Sequence, residues 1–173
     1  MKTSLPLLAA LALSAGLTVA GVAADKPAAD RSAVSVTFKD PDSFTDVHET
    51  GQLTTSTYYL DQLKACLQET AAPLLSPGQK LEVTVTDVDL AGDNVLNGSP
   101  DHIRIMKEIY APRVHLSFRL LGADGAVLKQ GTRHLTDTFY LHQLRLPPDQ
   151  NEPLYYDKAM LRQWVRSEFK PKS

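Results

Sequence analysis

Two stretches of strict alternation constrain this chain more than any other feature. Leu81, Val83 and Val85 alternate with Glu82, Thr84 and Thr86, and Val114, Leu116, Phe118 and Leu120 repeat the pattern. Successive side chains of a strand point to opposite faces, so this spacing predicts strands with one face in a core and the other in water. After Val85 the apolar phase slips to Val88 and Leu90, as it does across a β-bulge. Ala33 to Phe38 alternates in the same way and stops at Asp40, Pro41 and Asp42. That predicts a strand followed by a turn. A shorter strand is expected around Ile103, Ile105 and Ile109. Asp124 and Gly125 are expected to turn the Val114 strand into a further one over about Ala126 to Thr138.

Helical spacing appears twice. Leu60, Leu63, Leu67, Ala71 and Leu74 share one face, with Pro73 ending or kinking the helix. Tyr156, Met160, Leu161, Trp164, Val165 and Phe169 form a broad stripe near the C-terminus. Strand, helix, three or four strands, then helix predicts an α+β two-layer sandwich. Its sheet is expected to be mostly antiparallel, four- to five-stranded, and mixed if the first strand runs parallel to a neighbour through the helix crossover. Two helices cover one face, and the other face is more polar.

The N-terminus reads as an export signal. Lys2 precedes an apolar run from Leu5 through Val19, and small residues stand at Val22, Ala23 and Ala24. Cleavage is expected after Ala24, with 25–32 as a flexible lead-in and 33–170 as one domain. No basic stop-transfer cluster follows the run, and no cysteine stands at the cleavage site to carry a lipid. The expected product is therefore a free periplasmic protein with no membrane anchor. The one cysteine, Cys66, permits no intramolecular disulfide and falls on the apolar side of the first helix, where a buried hydrophobe is expected. The chain carries 18 Lys plus Arg against 20 Asp plus Glu; removal of Lys2 leaves 17 against 20, a net charge near minus three. Nucleic-acid surfaces need clustered positive charge, so no nucleic-acid partner is expected.

Several residues are candidates for chemistry. Asp87, Asp89 and Gly92 open like a calcium loop, but Ala91 and Gly98 stand where ligands are required; these carboxylates are expected instead to accept backbone hydrogen bonds near the strand's end. A two-residue turn at Asp124 and Gly125 places Ser117 opposite Thr132 and His115 opposite His134, a pair that needs a third ligand to grip a metal. A three- or four-residue loop shifts that register. Arg133, Asp137, Tyr140, Lys158 and Trp164 read either as a salt bridge and aromatic packing that dock the last helix on the final strand, or as a polar pocket at that seam. The elbow, metalloprotease and phosphate-loop motifs of common enzymes do not occur, and no cofactor is called for.

Asp87, Val88, Asp89, Leu90, Ala91 and Gly92, with Thr45 and Asp46, Asp137 and Tyr140, and Tyr156, Lys158, Met160, Leu161 and Trp164, together resemble a known family. It is the uncharacterised family of exported Gram-negative proteins numbered three thousand and sixteen among domains of unknown function, and the likeness spans about residues 33 to 169. Asp157 stands where that family usually has Glu. The resemblance implies export and a small domain, and it implies no reaction. The favoured expectation is a non-catalytic binding or accessory module for a protein or small ligand, acting through the polar sheet face or strand ends. The alternative is a hydrolase using carboxylates converging near Asp87 and Asp137.

Overall fold

In the computed structural model, residues 29–48, 54–95, 103–142 and 152–170 are described; the segment expected to be an export signal, 1–24, lies outside them. The chain runs β1 (Val34–Phe38), α1 (Thr57–Ala71), β2 (Lys80–Asp89), β3 (Asp93–Val95), β4 (Ile103–Ile105), β5 (Arg113–Leu121), β6 (Val127–Thr136) and α2 (Tyr155–Phe169). Four strands form one sheet in the order β1-β2-β5-β6. β1 is parallel to β2, and the other two pairings are antiparallel. The sheet is therefore mixed, and the fold is an α+β sandwich. Ile103–Ile105 pairs with Asp93–Val95 in a separate two-stranded ribbon, so the weaker predicted strand adds nothing to the main sheet. Ile109 lies beyond the ribbon, in a turn and exposed.

Register explains the burial. Val34 and Val36 of β1, Leu81, Val83, Val85 and Val88 of β2, and Val114, Leu116 and Phe118 of β5 are all buried on one face. The phase slip after Val85 is a bulge between Val85 and Asp87, which keeps Val88 on the core side. Leu60, Leu63, Cys66, Leu67 and Ala71 of α1 meet this face, as do Met160, Leu161, Trp164 and Val165 of α2. Ser56 caps α1, its hydroxyl accepting the Tyr59 N–H at 3.2 Å. The helix closes at Ala71, and a 3-10 turn follows over Ala72–Leu74, because Pro73 has no N–H to continue the ladder. Phe118 packs edge-on against both Trp164 and Phe169, at 5.8 and 5.3 Å between ring centres.

The hairpin between β5 and β6 reaches the expected register by a different route. Gly122 and Gly125 close a turn (Gly125 N to Gly122 O, 2.9 Å), and Gly122 N bonds Ala126 O at 2.8 Å. That leaves three residues in the loop, with Gly125 at φ +81° as the left-handed position requires. The extra loop residue shifts the pairing by one; a bulge between Leu120 and Leu121 shifts it back. His115 faces His134 and Ser117 faces Thr132 because the two offsets cancel. Among the described residues, no helix is long and apolar enough to cross a membrane.

Candidate functional site

The sheet face away from the helices is polar. Glu82 and Arg119 pair across it at 3.2 Å, and Asp89 and Arg113 at 2.9 Å. His115 and His134 stand side by side, their ring centres 4.2 Å apart. Among the described residues, no group of three or more His, Cys, Asp or Glu is arranged to hold a metal ion.

Asp87 and Asp89 serve the fold at the end of β2. Asp87 accepts both the Thr45 N–H at 2.8 Å and the Thr45 hydroxyl at 3.0 Å, pinning the loop that leaves β1. Burial raises the pKa of Asp89, opposed by its hydrogen bond from Arg113. The proposed convergence of Asp87 with Asp137 does not occur. Asp87 shares its row with His115 and His134, two strands from β6, and Asp137 lies three residues further on. From strand spacing and rise, their α-carbons stand roughly 14 Å apart. Asp137 also lies on the helix side of the sheet, beside Leu135 and Trp164, and accepts the Phe139 N–H at 3.0 Å.

The same strand end carries a cluster that residue patterns alone did not assemble. The Arg104 guanidinium grips Asp46 Oδ2 through Nη1 at 2.9 Å and Nη2 at 2.6 Å, and Nη1 also donates to the carbonyls of Ala91 and Gly92. Its buried Nε has no acceptor among the described residues. Asp157, on the first turn of α2, is buried and accepts the Ala91 N–H at 3.0 Å. Burial pushes its carboxyl up to about 6, against the pull of the Ala91 hydrogen bond and of Arg104. Tyr140 is fully buried beneath, bonding the Lys107 carbonyl at 2.8 Å and packing edge-on against Tyr156. Lys158 lies between the helices, donating to Gln62 at 2.8 Å and facing Glu152 at 3.4 Å. Arg104, Glu152, Leu154, Tyr155 and Asp157 line a pocket of about 160 Å³ here. The only sequence signal for Arg104 was one cation between two isoleucines.

At the seam between β6 and α2, the docking reading of Arg133 holds, with Glu168 as the partner. Arg133 Nε meets Glu168 Oε2 and Nη2 meets Oε1, each at 2.9 Å, and the guanidinium lies 5.2 Å over the Phe118 ring. Gly131 leaves the room for this: an added Cβ would stand 2.8 Å from Arg133 Nη1. Lys129 reaches the same Glu168 at 2.6 Å. Burial raises the Glu168 pKa, but hydrogen bonds from Arg133 and Lys129 outweigh it and hold the carboxyl below its usual range. Beyond this pair runs a shallow groove of about 340 Å³, lined by His134, Leu135, Asp137, Met160, Gln163 and Trp164. Trp164 is buried, with no acceptor for its indole N–H among the described residues. The seam therefore carries both the salt bridge and a groove.

The outer edge of β6 borders that groove, and its hydrogen-bonding phase follows from the sheet. Lys39 N bonds Val85 O, so the Val85 backbone faces β1. Leu116, opposite Val85, then faces β6, where it meets Arg133. Directly opposed residues of antiparallel strands alternate between bonded and non-bonded pairs, so Thr132 and His134 turn their N–H and C=O groups away from β5. Consistently, Thr132 O accepts Arg133 Nη1 at 2.9 Å. The close His115–His134 stack suits a non-bonded pair, in which side chains approach most nearly.

Neither the curated proteins nor the solved structures include a match to this chain. One family model does match, that of the proteins of unknown function DUF3016, over residues 32–167. The match spans the sheet, both helices and nearly all of the motifs singled out above, and the chain belongs to this family.

Proposed function

We propose that the chain is exported to the periplasm and acts there as a non-catalytic binding module, taking up a protein partner by strand addition along the outer edge of β6. Export is supported by Lys2, the apolar run from Leu5 to Val19 and the small residues at Val22 to Ala24. One observation carries the binding reading. β6 is a ten-residue strand at the sheet's margin, and among the described residues no other strand pairs with its outer edge. Unpaired edges of this length are templates for another chain, and proteins usually blunt them with charge. Here Lys129 and Arg133, the two cations of β6 that face the helices, are drawn to Glu168 under the sheet, and Arg133 Nη1 alone reaches back to the outward Thr132 carbonyl.

Two comparisons favour a protein partner over chemistry or a small ligand. The carboxylates Asp87 and Asp137 are each engaged by the fold and lie on different sides of the sheet. The pocket beside Arg104 is about 160 Å³, below the roughly 300 Å³ at which small-molecule sites usually begin, and the groove of about 340 Å³ at the seam is shallow and borders the β6 edge itself. The test places a photo-cross-linking residue at Gln130 on the edge strand, or at Thr37 on the far strand, in the native host. Adducts at Gln130 that vanish with Thr132→Pro, and none at Thr37, are expected. Equal labelling at both positions, or none at Gln130, contradicts the reading.

A further inference from the structure

We infer that the partner received at this edge is a second copy of the same chain, its β6 paired antiparallel to the first about a two-fold axis through Thr132, perpendicular to the sheet. This rests on the strand-addition reading above and names its partner. The phase of β6 restricts which registers are open. Outward backbone groups belong to the even-numbered residues Gln130, Thr132 and His134, so they must meet even-numbered residues of the second copy. Each open register is then centred on one residue.

Charge selects among them. Centring on Gly131 sets Lys129 opposite Arg133 of the second copy, twice over. Centring on Arg133 sets that residue opposite itself. Like charges directly opposed destabilise a strand pair. Centring on Thr132 places Arg133 opposite Gly131, where there is no side chain, and Lys129 opposite Leu135. Centres further out, at Gln130 or His134, also avoid the clash, but they shorten the overlap. The Thr132 register runs from Lys129 to Leu135, most of β6 beyond the bulge.

On the outer face this register sets Thr132 against Thr132 and Gln130 against His134, both neutral polar pairings that cross-strand contacts favour. It adds about six backbone hydrogen bonds over Gln130 to His134 in the two copies, the Thr132 carbonyl accepting on its second lone pair beside Arg133 Nη1. The bulge leaves Leu128 unpaired in the ladder and sets Val127 opposite Leu121, so the new pairing ends at Lys129 and the exposed Val127 and Leu128 lie beyond it. The result is one eight-stranded sheet with a continuous polar face.

Light-scattering mass over a dilution series of the purified chain tests this, with three variants. The wild type is expected to dimerise. Thr132→Pro is expected to be monomeric and folded, since proline is tolerated on an edge strand where the lost N–H faces outward. Thr132→Lys and Thr132→Glu should each weaken dimerisation about tenfold, as like charges opposed on the axis. Mixing those two variants should restore it, because only an axial residue meets itself. A dimer indifferent to Thr132→Pro overturns the inference, as does a Lys and Glu mixture no tighter than either variant alone. A wild type monomeric at every concentration also overturns it. If the Gln130 cross-linker then still captures a different protein, the edge reading stands and self-pairing alone has failed; if it captures nothing, both have failed.

Discussion

Arg133 and Glu168 join the last strand to the last helix through two parallel hydrogen bonds of 2.9 Å each, with Glu168 largely shielded from water and Arg133 more open. Fork-to-fork geometry of this kind is worth more than an ordinary surface pair. Arg133→Ala is expected to destabilise the fold by about 1–3 kcal/mol, since a partly buried carboxylate loses its better partner and Phe118 loses its cover. Arg133→Lys should recover little of it, because an ammonium cannot span both oxygens. Urea unfolding of the three proteins measures this; an unchanged midpoint for Arg133→Ala would show that the contact does not dock α2.

Asp157 should give the protein an unusual rise in stability on mild acidification. Its folded pKa, about 6, lies above the 3.8 expected unfolded. The folded state therefore binds the proton more tightly, and its penalty for ionised Asp157 is present above pH 6 and relieved as pH falls towards 4. The linked gain is about 3 kcal/mol at most. Arg104 and Asp46 face this carboxyl with opposing effects, the cation lowering its pKa and the anion raising it. Thermal midpoints between pH 7 and 5 should rise for the wild type and stay flatter in Asp157→Asn, whose amide oxygen still accepts the Ala91 N–H. Parallel profiles would contradict the assignment.

Gly92 holds the turn that Arg104 clamps. Its φ is +81°, and an added Cβ would stand 2.7 Å from Met106 Sδ and 2.9 Å from the Ile105 carbonyl. Backbone cannot give way as a flexible side chain does, so Gly92→Ala should cost about 2–4 kcal/mol, from strain and a displaced Arg104 contact together. Chemical denaturation of the variant checks this. A cost below about 0.5 kcal/mol would place the result within ordinary surface substitutions.

Much of this architecture was legible from residue order. The alternations at Leu81 and Val114 gave β2 and β5, the slip after Val85 gave the bulge, and the two apolar stripes gave α1 and α2. Contacts between residues far apart in the chain were less legible. Asp46 and Arg104 are separated by 58 positions and meet only because Asp46 bridges alongside Asp89 at the open end of β2. Arg133 was singled out but not its partner: Glu168 reads locally as one more charge near a helix end. The hairpin is the subtlest case. His115 faces His134 as the shortest turn required, yet the loop is longer, and only the bulge beside Leu121 restores the match. Local pattern fixes phase within a strand, whereas bulges and loop lengths fix register between strands.

The central claim is that β6 offers alternate backbone groups to a partner strand, and amide hydrogen exchange resolved by residue tests it most directly. In dilute protein the amides of Gly131, Arg133 and Leu135, bonded to β5, should exchange slowly, and those of Gln130, Thr132 and His134 quickly. Raising the concentration should slow the second set and leave the first unchanged. Equal protection of both sets in dilute protein, or fast exchange at Gln130, Thr132 and His134 at every concentration, with or without host extract, would contradict the account.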